Sequence, residues 1–163
     1  MLNRNRCPGW VLLGFWAFCT CAPAQEYTYT TNSPDTNTVT LTGYTGTNND
    51  ISLPANINGL TVTAIGDSAF LRKMGLTGVV ISDSITSIGN SSFAQCYSLQ
   101  SIVIPDSVTN IGNGVFNTCM SLTNVVLGAG VTQIGDGSFG QCYGLQSIVI
   151  PDSVTSLGPA AFM

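Results

Sequence analysis

The stretch Leu99-Gln100-Ser101-Ile102-Val103-Ile104-Pro105-Asp106-Ser107-Val108-Thr109-Asn110-Ile111-Gly112 returns at Leu145–Gly158 with changes at only two positions, Ser156 and Leu157. Its apolar residues divide the chain into sides. Ile102 and Ile104 flank Val103 with a period of two, which predicts a short strand with the isoleucines inward and Val103 outward. Pro105-Asp106-Ser107 turns the chain, and a proline at the end of a short strand removes a donor where the ladder needs it least. Val108 and Ile111 predict a second inward side, closed by Gly112. Asn113-Gly114-Val115-Phe116 then reads as a capped helical turn, with Phe116 inward and Cys119 three residues on.

Working outward, the same register runs through the chain. An Ile-Gly or Leu-Gly pair begins at Ile65, Ile88, Ile111, Ile134 and Leu157, always 23 residues apart. Phe70, Phe93, Phe116, Phe139 and Phe162 keep the same step, as do Leu76, Leu99, Leu122 and Leu145, and Cys96, Cys119 and Cys142. Asp67, Asn90, Asn113 and Asp136 share one cap-like position, where a short polar acceptor binds free backbone N–H groups. A single 23-residue coil has too few inward side chains to offset the entropy of ordering it, so neighbouring coils must supply the burial. The expectation is a solenoid of α/β type, with short parallel strands, short helical turns and continuous Phe and Leu ladders as its core.

The ends differ from the middle. Tyr27-Thr28-Tyr29-Thr30 and Val39-Thr40-Leu41-Thr42 are β-rich runs around a polar turn at Asn32-Ser33-Pro34-Asp35, which predicts a hairpin. Residues 25–50 are accordingly read as an N-terminal β cap over the first coil, where core and strand edge would otherwise be exposed. Residues 51–163 are read as repeats, with a longer link from Ala55 to Ala64. The last repeat stops after Phe162, before the expected cysteine and leucine, as in a fragment or a truncated gene.

The string from Leu99 to Gly112, together with Phe116 and Cys119, resembles the BspA-type (Treponema pallidum-type) leucine-rich repeat over roughly residues 51–162, and the segment Tyr27–Gly46 is similar to caps that precede such repeats. Ser82 and Gly128 depart from the pattern at the proline, and Lys73 at the first cysteine. The resemblance implies a leucine-rich-repeat solenoid, a bacterial secreted or cell-surface setting with adhesion in some members, and no catalytic residues to carry over.

Residues 1–24 read as an export signal: Arg4 and Arg6 give a positive start, Trp10–Phe18 is apolar, and Ala22-Pro23-Ala24 offers small-x-small cleavage after Ala24. The apolar run is too short to span a bilayer, and Cys19 and Cys21 lack the context of a lipidated cysteine. No membrane span is therefore expected after cleavage, and the product is expected to be secreted or at the cell surface. Cleavage leaves Arg72 and Lys73 as the only cations against eight acidic residues, a net of −6. Such a chain cannot neutralise a phosphate backbone, which argues against nucleic acid as a partner.

Chemistry finds few footholds. The chain has no histidine, so the usual base near neutral pH is missing, and no catalytic or cofactor-binding residue is expected. Cys96, Cys119 and Cys142 are read as buried thiols stacked one above another, not as metal ligands. Asp83, Asp106 and Asp152 give one carboxylate per coil, too few oxygens for calcium, and are read as turn residues binding their own backbone. What remains is surface. Val80, Val103, Val126 and Val149 are expected to line the outer, concave sheet face, flanked by Ser101, Asn124 and Ser147, as a candidate face for a protein partner such as an extracellular-matrix or surface protein. Tyr97, Met120 and Tyr143 are weaker candidates at an edge. Alternative roles are a structural spacer or surface-layer element, and a carbohydrate-binding accessory module.

Overall fold

Stretches of two to seven residues pair from coil to coil, because each is too short to be stable unpaired. A computed structural model of the protein describes residues 26–163; the export signal read over 1–24 lies outside that range. The strands are β1 (Tyr27–Thr31), β2 (Thr38–Tyr44), β3 (Asp50–Ser52), β4 (Asn56–Ile57), β5 (Leu60–Ile65), β6 (Gly78–Val80), β7 (Ser87–Ile88), β8 (Ser101–Ile104), β9 (Asn110–Ile111), β10 (Asn124–Leu127), β11 (Gln133–Ile134) and β12 (Ser156–Leu157). They form two sheets. One has four strands in the order β10-β8-β6-β3, all pairs parallel. The other runs β1-β2-β5-β7-β9-β11-β12, parallel from β2 onward, with β4 folded back on β5.

The second inward side of each coil is thus a strand as well. Ile65, Ile88, Ile111, Ile134 and Leu157 stand in register, and Leu41 of β2 joins the row against Ile65. The five glycines that follow them sit where a Cβ would stand only 2.4–2.9 Å from atoms of the preceding coil. β1 and β2 form an antiparallel hairpin whose β2 edge continues into the parallel ladder.

The helical turn expected around each phenylalanine does not form, and no helix occurs among the described residues. The reason is a division of hydrogen bonds. Ser68, Phe70 and Arg72 donate their N–H groups to the carbonyls of Asn90, Ser92 and Ala94 in the next coil, while Ala69, Leu71 and Lys73 donate back to Gly66, Ser68 and Phe70. An α-helix needs consecutive N–H groups turned to the carbonyl four residues back. Here every second one is drawn sideways. Ser68 and Arg72 take positive φ, 58° and 61°, to make this ribbon, and Ser91, Gln95, Gly114, Thr118, Gly137 and Gln141 repeat it.

The core is one continuous column set. Phe70, Phe93, Phe116, Phe139 and Phe162 stack with ring centroids 4.9, 5.6, 5.2 and 5.3 Å apart. Tyr44 extends the column from Phe70 at 6.2 Å, and Tyr27 follows at 5.2 Å. Leu76, Leu99 and Leu122 are buried beside it, with Leu145 packed against the cluster.

One position in this core distinguishes two serines. Ser138 is fully buried and its hydroxyl lies 2.7 Å from the carbonyls of Gly112 and Gly135. Ser92, two coils earlier in the same column as Ala69, Val115 and Ala161, is equally buried, yet its Oγ has no partner. An unpaired buried hydroxyl costs more than a methyl of similar size. Ser92→Ala is therefore expected to stabilise by about 1 kcal/mol and Ser138→Ala to destabilise by about 1 kcal/mol, read as opposite shifts of the urea midpoint.

Candidate functional site

Because successive side chains of a strand point to opposite faces, the four-stranded sheet presents every second residue outward. In β8 the pattern is Ser101 exposed, Ile102 buried, Val103 exposed, Ile104 buried. Parallel register places Val80 beside Val103 and Val103 beside Val126, with relative exposures of 62%, 53% and 47%. Ser52 of β3 lies beside Val80 at the other end of the row. Ser101 and Asn124 form a second outward row, which begins at Asp50 and passes through Gly78.

The fourth member of each row is placed differently. Ser147-Ile148-Val149-Ile150 repeats the letters of β8, yet it forms no strand and makes no ladder with β10. Val149 is 84% exposed, and an opening of about 340 Å³ lies between Asn124–Leu127 and Ser147–Val149. Ser147 and Val149 therefore stand off the sheet that carries the other five candidates.

Two grooves cross the face. One, of about 270 Å³, is lined by Asp50, Ser52, Val80, Ser101 and Val103. A larger one, of about 610 Å³, runs over Val80, Val103 and Val126 and is bordered by Asp83, Asp106 and Gly128 at the turns. Both cations of the described residues lie elsewhere, on the phenylalanine ribbon. Arg72 Nε donates to Gln95 Oε1 at 2.7 Å, and Lys73 Nζ sits 5.9 Å from the centre of the Tyr44 ring.

The polar ladders serve the fold, though not as the sequence reading had them. Asp67, Asn90 and Asn113 accept the backbone N–H of Asn90, Asn113 and Asp136 at 2.7, 2.8 and 2.9 Å. Each side chain thus ties its coil to the next instead of capping its own turn. The register ends at Pro159, which has no N–H to give. Asp106 likewise accepts from Ala129 N at 2.7 Å, one coil on, not from its own turn. Met120 and Tyr143 are exposed and Tyr97 half-buried, outside the grooves of the sheet face.

The three thiols are free and buried. Each Sγ–H donates to the carbonyl of a phenylalanine in the preceding coil: Cys96 to Phe70 at 3.2 Å, Cys119 to Phe93 at 3.2 Å and Cys142 to Phe116 at 3.1 Å. Burial pushes the Cys96 thiol up to about 12 and Cys142 to about 11, with Cys119 raised as well. A thiol protonated in the fold but ionised in the unfolded chain makes the unfolded state bind fewer protons, so stability falls as pH rises. The loss starts near the ordinary thiol range of about 8.5 and continues toward pH 11. Each thiol is expected to cost about 1.4 kcal/mol per pH unit in that window. Urea unfolding at stepped pH checks this; a Cys96→Ala/Cys119→Ala/Cys142→Ala chain, less stable at neutral pH, should lose most of the slope. Among the described residues no three His, Cys, Asp or Glu side chains are grouped to hold a metal, and no helix is long and apolar enough to cross a membrane.

The pattern matches a family model described as the BspA type leucine rich repeat region, in six copies over residues 44–163. The fold is similar to a leucine-rich-repeat protein of T. pallidum, at 32% identity and a TM-score of 0.82, covering 86% of this chain and 65% of that one. It is also similar to a leucine-rich-repeat protein of Bacteroides ovatus, at 30% identity and a TM-score of 0.76, covering 85% of this chain and 37% of that one. The chain thus spans less than two thirds of either relative. Among curated proteins none matches it.

Proposed function

From the premise that this chain belongs to the BspA-type leucine-rich repeat family, we propose that it is an exported, surface-displayed module that holds a protein partner against the outward face of its four-stranded sheet. Leucine-rich-repeat proteins are in general protein-interaction scaffolds. The observation that carries the reading here is the row Val80, Val103, Val126, three β-branched apolar side chains about half exposed and in register across adjacent strands. Valines suit a strand and pack against one another across it, yet about half of each remains in water, and a partner that covers the row gains that apolar burial. Ser101 and Asn124 supply hydrogen-bonding groups beside it. Arg4 and Arg6, the apolar run Trp10–Phe18 and Ala22-Pro23-Ala24 support export. In this reading the β1–β2 hairpin covers the first coil, and Tyr27 and Tyr44 close its aromatic column.

The test is capture by immobilised matrix proteins (collagen, fibronectin, laminin). At least one is expected to retain the wild-type chain. Val103→Asp/Val126→Asp is expected to weaken retention at least tenfold, because each carboxylate would be desolvated against an apolar contact. Both positions point to solvent, so the chain should stay folded, with a modest fall in melting temperature from two carboxylates side by side on neighbouring strands. Full retention by the folded double variant would move the interface off this face. No retention of the wild type by any of the three would favour a structural spacer without a specific ligand.

A further inference from the structure

Resting on that reading, we infer that the partner's contact is an extended polypeptide segment carrying lysine or arginine beside apolar residues. The argument is the charge pattern around the valines. The grooves over Val80, Val103 and Val126 are bordered by Asp50 at one side and by Asp83 and Asp106 at the other. No lysine or arginine lines either groove. Two of the three carboxylates are already fixed by hydrogen bonds: Asp50 Oδ1 accepts from Thr77 Oγ1 and Asp106 Oδ1 from Ala129 N, both at 2.7 Å. A cation arriving there meets charge that needs no further ordering, and the negative potential over the face attracts it from a distance. The same pattern disfavours a second copy of this chain as occupant, since face on face would set carboxylates against carboxylates.

An extended segment suits the shape. The grooves run over valines one strand spacing apart, and a strand-like ligand presents alternate side chains to such a floor. Lysine and arginine can lay their aliphatic stems on apolar surface and carry the charge sideways to the acidic border.

Three acetylated, amidated decapeptides serve as probes of the full-length mature chain: each has serine at every second position, and the positions between, which share one face of a strand, alternate valine and lysine, valine and glutamate, or serine and lysine. Binding is followed by the methyl NMR signals of Val80, Val103 and Val126. The valine–lysine peptide is expected to shift these signals and to bind at least tenfold tighter than either other peptide at low salt, an advantage over the glutamate peptide that shrinks at high salt. Asp83→Asn/Asp106→Asn, which keeps the Oδ1 acceptor toward Ala129, is expected to lower that affinity about tenfold with the melting temperature unchanged. Equal binding of the lysine and glutamate peptides, abolished by Val103→Asp/Val126→Asp, would overturn the cation preference and leave the docking face standing. Shifts that map away from the valines, or no shifts with any peptide, would overturn the inference; a matrix protein still captured through the valines would then keep the broader reading.

Discussion

Phe116→Ala is expected to lower the free energy of unfolding by about 3–5 kcal/mol, measured by urea denaturation. Phe116 is fully buried and stacks on two other rings, Phe93 at 5.6 Å and Phe139 at 5.2 Å. Truncation removes both contacts and leaves a hole that the flanking coils cannot fill, because their backbones are held by N–H groups of Phe93, Phe116 and Thr118 donating outward to the next coil. Against a typical total of about 5–15 kcal/mol, that loss takes a large share. Because each coil touches only its neighbours, the coils flanking Phe116 should lose hydrogen-exchange protection first. A cost below about 1 kcal/mol would mean the column is not the core.

The second large effect is expected at Gly135, and it separates two reasons for glycine. A Cβ on Gly135 would stand 2.5 Å from the carbonyl carbon of Gly112 and from Asn113 Oδ1. It would push apart two coils joined by Gly135 N to Ile111 O at 2.8 Å and Asp136 N to Asn113 Oδ1 at 2.9 Å. Gly135→Ala is therefore expected to cost about 3 kcal/mol. At Gly137 a Cβ meets nothing, but φ is +57°. Gly137→Ala should cost only about 1 kcal/mol, consistent with Ser91 and Ala160 holding positive φ at the same register. Equal costs at the two sites would show that coil spacing is looser than the ladders imply.

Much of this architecture was legible because side-chain burial and sequence period report the same thing. The alternation Ser101-Ile102-Val103-Ile104 gave the strand and its two faces, and the 23-residue columns gave the core down to its phenylalanines and thiols. What eluded the sequence concerns backbone hydrogen bonds, which leave little trace in residue type. Asn113-Gly114-Val115-Phe116 has the letters of a capped helix start, yet its N–H groups are claimed alternately by the neighbouring coil. The ladder side chains Asn90 and Asn113 offered an acceptor, but only stacking reveals that the donor lies one coil away. The Ile-Gly period was visible while its cause, backbone against backbone, was not. Asn58-Gly59 was a missed signal: the pair makes the two-residue turn between β4 and β5, with φ of 53° and 82°, as Asn-Gly commonly does. The valine row was half legible. Outward direction followed from the alternation, but the detachment of Ser147 and Val149 has no counterpart in their letters, which are those of β8.

Methyl-resolved NMR of the mature chain bears most directly on the claim that like residues lie over one another and leave one apolar row outside. Val80 methyls should show contacts to Val103, and Val103 to Val126, with all three broadened by a soluble paramagnetic agent while Ile102, Ile104 and Val125 are spared. Val103 methyls shielded from the agent, or in contact with the Phe116 ring, would contradict the register and the face built on it.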